Sequence, residues 1–506
     1  ALETMTTDTL TAAPPPATAP QDALTLQSLQ MKVLLAIVFL FPIVLSAIVL
    51  PSPGSDLREH INLGLAYRFT AFAAPPLQTW LAGAVALTGA RDAWLYIAVA
   101  QVLNFIGLAY LVLIARRFID EDAPVPLTIM FCGSIYFSIF SLTMAINADQ
   151  IQVPLWAGIV FHGMTALRDD RWRDWILCGV LLGVTVLAKY TVLVLLAALA
   201  LALLLIPEYR KVLRNPKLYV AGLASLPIIA LHAVPEWYEG HAVDYAGVQF
   251  RSWATVWARI GFLWEFIRSY VLYGGLILVG LAGLAWRRQI AIKPIPTDPA
   301  QRLILLTVAI YLAVIVVLII GFGFAYATRH TYPLFGLTLL ALLVVIRITP
   351  AGTRLFANFM LAVWGGVIVG SVIYALVARH GVLQEPGPAT ADALRQAWDR
   401  RFACGPAYLI GNDRSVRLIA INYGKPVLGL AFEDTARPDW MDKSRLAQLG
   451  AIVVAGPEHA VQPDYAPWFK DRRLETLTLP YRRTRRATTH DYVYYFIAPE
   501  ACPAVK

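Results

Sequence analysis

Long apolar runs alternate with short polar or charged segments over most of this 506-residue chain. A helix of about 20 apolar residues crosses the hydrocarbon core of a bilayer, because each residue adds about 1.5 Å to its length. We therefore predict a polytopic α-helical membrane protein with about 11 transmembrane helices. The runs are 33–50, 94–114, 124–145, 151–167, 175–190, 191–206, 218–235, 266–286, 303–322, 331–346 and 355–378.

Composition supports this fold class. The chain is 58% hydrophobic and 15% charged, with a mean hydropathy of +0.61. A soluble protein of this size cannot bury so much apolar surface. The first run lies far from the first residue and lacks a small-residue cleavage site, so it is predicted to be a retained span. The Pro- and Ala-rich residues 1–32 are predicted to form a disordered cytoplasmic tail.

Basic residues concentrate in every second loop, and such loops stay in the cytoplasm. The alternate loops, including 51–93 and 236–265, are then outside, as is everything after residue 378. The net charge of +9 follows largely from these loops, and no DNA- or RNA-binding motif accompanies it, so we predict no nucleic-acid partner. The orienting residues are Arg116-Arg117, Arg168/Arg171/Arg173, Arg210/Lys211/Arg214/Lys217, Arg287/Arg288/Lys293 and Arg347/Arg354.

Residues 379–506 have a different pattern. Short β-like runs (AYLIG, PVLGLAF, AIVVAG, YVYYFIAP) alternate with the helix-like runs RSVRLIAINYG and DKSRLAQLG. This alternation predicts a small extracytoplasmic α/β domain after a transmembrane domain at 33–378. Cys404 and Cys502 bracket it and could form a disulfide outside the cytoplasm, whereas Cys132 and Cys178 lie in apolar spans and are expected to be inert.

Ionisable residues near membrane depth are costly, so each needs a reason. On the predicted outer side they are Asp56, Glu59, His60, Asp149, Lys189, the EWYEGHAVDY loop, Arg329 and His330. The inner loops carry mainly the orienting basic residues. The candidate chemistry therefore faces the side where nucleotides are absent.

The order and spacing of these residues resemble the GT-C superfamily of polytopic glycosyltransferases. The nearest branch contains bacterial protein O-mannosyltransferase-like and lipid A aminoarabinose transferase-like enzymes. Asp56 followed by PPLQTW at 75–80 matches the acidic first outer loop of that family. Asp149 in NADQIQVPLW, Lys189–Thr191 in LAKYTVLVLL and the late ATRHTYPLFG match its second acidic residue, its Lys-Tyr-Thr turn and its Arg-aromatic-Pro motif.

Two positions depart from the family pattern. Leu57 stands where the family has an acidic residue directly after the first Asp, and Ala74 stands where a His commonly precedes the two prolines. Glu59 and His60 lie three and four residues past Asp56, on one face if the stretch is helical. We infer that they take over the missing roles.

The resemblance implies an inverting transfer of a hexose or pentose from a polyprenyl-phosphate donor, at the outer face of a bacterial inner membrane. The acceptor is then an envelope lipid, lipopolysaccharide, polysaccharide or protein. Such chemistry needs a base for the acceptor and cations for the departing phosphate. Asp56 is the candidate base, with Glu59 and Asp149 as further catalytic candidates. The candidate substrate-binding residues are Arg58, His60, Lys189, Tyr190, Arg329 and His330, and the possible sugar-stacking aromatics are Trp80, Trp237 and Tyr238.

Other interpretations remain open. A secondary transporter or flippase would also place charges among many spans, although the second half of the chain does not repeat the first. Leu57 and Ala74 also allow a family member that has lost activity. Each candidate has a simpler explanation: Asp149 could cap a helix, Lys189 could extend to the interface, and His162 and His232 could form helix–helix hydrogen bonds. No cofactor is implied, and the metal-ligand-like group Glu236, Glu239, His241 and Asp244 fits no standard metal spacing.

The predicted topology can be tested with reporter fusions at Ile290 and Gly450. We expect a cytoplasmic signal at Ile290 and an external signal at Gly450, because the basic loop near Ile290 is retained inside. Signals from the same side would contradict the alternation of loops.

Overall fold

The computed structural model describes residues 21–49, 53–65, 75–89, 92–239, 246–247, 249–251, 254–378, 387–425, 427–436, 441–482 and 487–502. The chain is largely helical. The helices of the first 378 residues are α1 Gln21–Val49, α2 Ser55–Leu65, α3 Leu77–Ala86, α4 Ala93–Ile114, α5 Pro124–Gly133, α6 Ile135–Met144, α7 Ala148–Asp169, α8 Trp172–Val186, α9 Val192–Leu205, α10 Pro216–Glu239, α11 Val256–Trp286, α12 Pro299–Phe322, α13 Tyr332–Val345 and α14 Pro350–Ala378.

Helices occupy all eleven predicted span positions, so the prediction of a multi-pass helical membrane protein is confirmed. Among the described residues, seven helices are long and apolar enough to cross a membrane, or nine if each of two bent pairs counts as one span. The count is below eleven for two reasons. α8 has only 15 residues, and α7 begins with the polar residues Asp149, Gln150 and Gln152.

The two bent pairs have local causes. α5 and α6 meet at Ser134 with a bend of 54°, and the Ser134 side chain accepts the Phe137 N–H to begin a new helix. α9 meets the 3-10 helix Pro207–Arg214 at 111°. Proline lacks an N–H and disfavours helix in the residue before it, so α9 ends there.

The short helices α2 and α3 approach closely at two glycines. A Cβ on Gly64 would lie 2.3 Å from the carbonyl oxygen of Thr79, and one on Gly83 would lie 2.7 Å from the Gly64 carbonyl carbon. Any larger residue would push the helices apart. Leu57, which stands where the family pattern has an acidic residue directly after the first Asp, is buried between them. It lies in an apolar cluster with Ile61 and Ala82.

The C-terminal region contains the strands β3 Tyr408–Gly411, β4 Leu428–Ala431, β5 Ala451–Ala455, β6 Glu475–Arg482 and β7 Ala487–Ile497. They form one sheet in the order β4-β3-β5-β7-β6. β3, β4 and β5 are parallel, and β7 and β6 add antiparallel to one edge. The longer helices of this region are α15 Gly387–Asp399, α16 Asp413–Asn422 and α17 Lys443–Leu449. A separate two-stranded pair joins β1 Ile290–Ile292 and β2 Ile346–Ile348 in the membrane region.

The predicted α/β pattern of this region is confirmed, since all six predicted strand and helix runs coincide with such elements. The disulfide between Cys404 and Cys502 is also confirmed. Strand β6 was not predicted. It contains Pro480, which removes a ladder donor, and this is tolerated because β6 is an edge strand.

The short helix α2, which follows α1, docks directly onto this sheet. Asn62 Nδ2 donates to the Gly429 carbonyl at 2.6 Å, and the Gly429 N–H donates to Asn62 Oδ1 at 2.9 Å. The side chain of Leu63 is buried in the same apolar cluster as Tyr408 and Leu430. A segment between the first two long helices of the bundle in sequence is therefore part of the core of the C-terminal region.

We expect Asn62→Ala to lower the free energy of unfolding by about 1–3 kcal/mol, because it leaves the buried N–H and C=O of Gly429 unpaired. Urea unfolding in detergent measures the change. Asn422→Ala is the matched control, since its buried side chain bonds only within its own helix, to the Leu418 carbonyl. Equal effects of the two substitutions would contradict the docking role of Asn62.

Candidate active site

A buried ion pair lies at the centre of the candidate site. Lys189 Nζ lies 2.7 Å from Asp149 Oδ1 and 2.8 Å from Asp149 Oδ2. The two side chains are 6% and 1% exposed. Asp149 is in the first turn of α7, where Asn147 caps the helix by accepting the Asp149 N–H at 2.9 Å. The capping residue of α7 is therefore Asn147, and the Asp149 carboxylate pairs with Lys189 in a distant turn.

The turn that carries Lys189 separates α8 from α9, as the sequence predicts, and is held from two sides. Gln152 Nε2 donates to the Lys189 carbonyl and to Thr191 Oγ1, both at 3.1 Å. From the other side, the N–H of Leu77 donates to the Leu187 carbonyl at 2.9 Å. The Pro-Pro-Leu segment therefore joins the segment between α1 and α3 to the Lys189 turn.

Arg329 links the buried pair to Asp56. Its Nη1 lies 3.7 Å from Asp56 Oδ2, and its Nε lies 4.0 Å from Asp149 Oδ2. The four side chains Asp56, Arg329, Asp149 and Lys189 thus form a cluster of two carboxylates and two cations. The Arg329 side chain is 38% exposed and that of Asp56 is 36% exposed, whereas Asp149 and Lys189 are enclosed.

The segment before α13 fixes the Arg329 backbone. Arg329 lies in the short 3-10 helix Thr328–Thr331. The Thr328 hydroxyl donates to Glu265 of α11, and Thr331 Oγ1 shares hydrogen bonds with Ser269 at 2.5 Å and Tyr326 at 2.6 Å. The hydroxyls on both sides of Arg329 are therefore tied to the bundle, and its guanidinium is presented to Asp56.

Glu59 and Arg58 have partners outside this cluster. Glu59 Oε2 lies 2.8 Å from Arg417 Nη1, and Arg417 Nη2 lies 3.2 Å from Asp434 Oδ2. Arg417 belongs to α16 of the C-terminal region. Arg58 Nε donates to the Pro53 carbonyl at 2.8 Å. Both side chains thus contribute to the position of α2.

His60 lies one turn after Asp56 on α2. The residue retains some exposed surface, but its Nδ1 is enclosed and has no hydrogen-bond partner among the described residues. Burial lowers the pKa of His60 to about 4; Asp56 opposes the shift, and Arg417 and Arg329 add to it. His60 is therefore neutral at pH 7.

Tyr190 and His330 are bound within the protein. The Tyr190 hydroxyl lies 2.7 Å from His232 Nε2, and the two rings stack with centroids 5.9 Å apart. His330 Nδ1 accepts the Ala327 N–H at 3.2 Å, and its ring stacks on Phe324 at 5.3 Å. The expected helix–helix hydrogen bond is confirmed for His162, whose Nδ1 lies 2.8 Å from Asp174 Oδ1. His232 instead joins α10 to the turn between α8 and α9, because Tyr190 lies in that turn.

A cavity of about 180 Å³ lies beside the charged cluster. Lys189, Tyr190 and His330 line its polar end. The remaining lining is mostly apolar and comes from α9, α12 and the segment around Phe250: Val194, Ala246, Gln249, Phe250, Ile315, Leu318 and Phe324, together with Thr191. A long apolar group with a charged end fits this distribution of polarity.

The aromatic and metal-site candidates are distributed differently. Trp237 and Tyr238 are strongly exposed at the end of α10, where interfacial aromatics are typical. Trp80 lies on α3, next to the Pro-Pro-Leu segment. In the part of the chain that the structure describes, no cluster of His, Cys, Asp and Glu could hold a metal ion. His241, Asp244 and Ala74 lie outside the described residues.

Asn62, Arg417 and Glu265 are the residues that the sequence analysis missed. Asn62 and Gly429 are 367 residues apart, and no local pattern marks such a pairing. The charge of Glu265 within an apolar span was a usable signal, because an ionisable residue there is expected to have a role. Its role here is to hold Thr328 and Arg268.

The chain is similar to known proteins in sequence family and in fold. Residues 73–234 match the family model described as dolichyl-phosphate-mannose-protein mannosyltransferase, a range that includes Asp149 and Lys189. Two crystal structures of ArnT from Cupriavidus metallidurans are similar to the chain. The one bound to undecaprenyl phosphate has a TM-score of 0.59 and 13% identity and covers 94% of this chain and 98% of that chain. The apo structure has a TM-score of 0.57 and 13% identity, with 93% and 98% covered.

A comparison with curated proteins gave no match. The resemblance identified from the motifs is nevertheless confirmed at two levels, by the family model over the segment from the Pro-Pro-Leu motif to α10 and by the three-dimensional fold over nearly the whole chain. This chain is a multi-pass membrane protein with an ArnT-like GT-C fold.

Proposed function

We propose that the chain is an inverting glycosyltransferase that moves a sugar from a polyprenyl-phosphate donor to an acceptor in the bacterial envelope. The observation that carries the proposal is the cluster of Asp56, Arg329, Asp149 and Lys189 beside an apolar cavity. It combines an accessible carboxylate, an accessible cation and room for hydrocarbon. A reaction in which an acceptor attacks a sugar on a lipid phosphate requires these three features.

The donor site is the cavity and its charged rim. Arg329 is the accessible cation, and guanidinium groups bind phosphate oxygens with two parallel hydrogen bonds. The isoprenoid chain fits the apolar lining contributed by residues such as Ile315 and Leu318. Undecaprenyl phosphate bound to ArnT, a protein of the same fold, supports this class of donor.

In this proposal Asp56 is the general base. Its carboxylate removes the proton from an acceptor hydroxyl or amine as that atom forms a bond to the anomeric carbon. The bond between the anomeric carbon and the phosphate oxygen breaks at the same time, and its electron pair leaves with polyprenyl phosphate. Arg329 stabilises the leaving phosphate. A single displacement inverts the anomeric configuration without a covalent intermediate.

Asp149 and Lys189 act as positioning residues in this scheme. Both carboxylate oxygens of Asp149 are occupied by Lys189, so Asp149 is poorly placed to accept a proton from an acceptor. Its negative charge also lies 4.0 Å from Arg329 and orients the guanidinium. Lys189 adds positive potential at the polar end of the donor cavity, which it lines.

Glu59 and His60 support Asp56 through the position of α2. Glu59 fixes the helix to Arg417, and neutral His60 adds no charge beside Asp56. Leu57 is buried against α3, so the acidic residue that directly follows the first Asp in the family pattern has no counterpart at that position. The acceptor approaches from the outer side, next to the sheet on which α2 rests. Envelope lipids, lipopolysaccharide, polysaccharides and proteins are all within the acceptor class.

Asp56→Asn keeps the shape of the side chain and removes its basicity. We expect it to lower turnover at least about a hundredfold, because loss of a general base costs that much or more, while donor binding is kept. Transfer from a radiolabelled polyprenyl-phosphate sugar measures the change. Asp122→Asn is the matched control, since Asp122 is an exposed carboxylate paired with Arg347 in a loop between helices far along the bundle.

Glu59→Gln provides the second comparison, because it removes the other carboxylate on α2. If Asp56→Asn kept near-normal transfer and Glu59→Gln lost it, the role of general base would be assigned to Glu59 instead of Asp56. Loss in both with unchanged melting temperature would mean that the position of α2 is as important as the base.

Lys189 and Arg329 are expected to differ in their contributions. Lys189→Met leaves the Asp149 charge buried and unpaired, so it should destabilise the protein by about 3–5 kcal/mol, and the double variant Lys189→Met/Asp149→Asn should recover most of that loss. Arg329→Gln should leave stability nearly unchanged, since pairs this exposed contribute little, but should weaken donor binding. Thermal unfolding and a donor-binding titration separate the two effects. Normal donor affinity in Arg329→Gln would exclude its role as the phosphate ligand.

A further inference from the structure

Two cavities adjoin at the opposite end of the bundle, where α7 ends and α10 begins. The first has a volume of about 370 Å³ and is lined by polar residues of the α7–α8 turn and the 3-10 helix Pro207–Arg214. The second has a volume of about 300 Å³ and lies between α7, α8, α9 and α10. Leu167, Trp175 and Val212 line both, so they form one crevice with a polar mouth and an apolar interior.

The acidic residues at the mouth are already neutralised. Asp170 accepts hydrogen bonds from Lys217 at 2.8 Å, Asn215 at 2.9 Å and Trp175 at 3.1 Å. Glu208 is paired with Arg302 at 2.5 Å. The protein therefore supplies partners for both carboxylates that line the mouth.

The basic residues at the mouth are in a different situation. Lys211 and Arg214 also line it, and neither forms an ion pair with any described residue. With the carboxylates neutralised, these two side chains leave the mouth net positive. A ligand for this position carries negative charge.

The interior of the crevice is suited to hydrocarbon. It is lined almost entirely by aliphatic side chains, including Leu182, Leu196 and Leu203. The backbones of α8 and α10 are in contact at one end, where a Cβ on Gly179 would lie 2.0 Å from the Ala221 carbonyl oxygen. At the next residue of α10 the space is open, since a Cβ on Gly222 would meet no atom within 4 Å.

We propose that this crevice binds an anionic phospholipid of the surrounding leaflet, with its phosphate at Lys211 and Arg214 and an acyl chain in the apolar interior. The face is the one predicted to be cytoplasmic, and Trp172 packs on Lys217 there at 5.3 Å, as interfacial aromatics do. A free phosphate would leave the apolar interior unfilled. The site is separate from the Asp56 cluster and does not depend on the proposed transfer reaction.

The test uses full-length protein purified in detergent and depleted of lipid. The probes are palmitoyl-oleoyl phosphatidylglycerol, phosphatidylcholine with the same chains, and inorganic phosphate. We expect phosphatidylglycerol to raise the melting temperature in a saturable manner, and the other two to leave it near the unliganded value. Binding by phosphatidylcholine with equal affinity, or full competition by inorganic phosphate, would overturn the proposal.

Variants locate the site. Lys211→Gln/Arg214→Gln should weaken phosphatidylglycerol binding roughly thirtyfold, since each basic residue near an anionic headgroup contributes about a factor of five. Arg116→Gln/Arg287→Gln removes the same charge from the same face, outside the crevice, and should leave the affinity within about twofold, given the screening of distant charges. Equal weakening by both double variants would show a diffuse surface effect and refute the site.

Gly222→Phe tests the apolar half of the crevice. The side chain enters open space, so the protein should fold, and the melting temperature without lipid checks this. We expect loss of phosphatidylglycerol binding because the ring occupies the acyl-chain position. Unchanged affinity in a folded Gly222→Phe would contradict the acyl-chain assignment, and the charge variants remain decisive if the substitution prevents folding.

Discussion

The cost of burying charge within the bundle governs the organisation of the candidate site. Lys189 and Asp149 are almost fully enclosed, and either one alone would impose several kcal/mol of desolvation cost. Their contact therefore forces the start of α7 and the α8–α9 turn together. The Leu77–Leu187 hydrogen bond then brings the start of α3 to that turn, and Arg329 completes the cluster at its exposed edge. The positions of the accessible charges, Asp56 and Arg329, thus depend on the buried pair of Asp149 and Lys189.

The helix that carries Asp56 belongs structurally to two regions. Its Leu57 and Ile61 pack against the membrane bundle, whereas Asn62 and Leu63 contact the C-terminal sheet, and Glu59 pairs with Arg417. The position of Asp56 is therefore determined jointly by the bundle and by the sheet. A ligand that shifts the C-terminal sheet would move Asp56 relative to Arg329.

Most of the helices could be predicted from the local sequence pattern, because the thickness of the bilayer sets the length of each apolar span. The break at Lys189 was predictable for the same reason, since a charge in the middle of a long apolar run is costly. The partners of Glu59 and Asn62 were not predictable: they lie in α16 and β4, and the pairing depends on how two distant regions pack. β6 was not predicted because a proline within a run, here Pro480, usually argues against a strand, although edge strands tolerate it. The span count from sequence was higher because α8 has only 15 residues and α7 begins with polar residues that include Asp149 and Gln152.

The most direct test of the account is a transfer reaction with purified protein in detergent, where no transmembrane gradient exists. The protein is mixed with a polyprenyl-phosphate sugar of known anomeric configuration and an envelope lipid extract, and the product is analysed by nuclear magnetic resonance and mass spectrometry. The account predicts a new glycosidic bond with inverted configuration and release of polyprenyl phosphate. Retained configuration, or movement of the lipid-linked sugar across vesicles without any new bond, would contradict it.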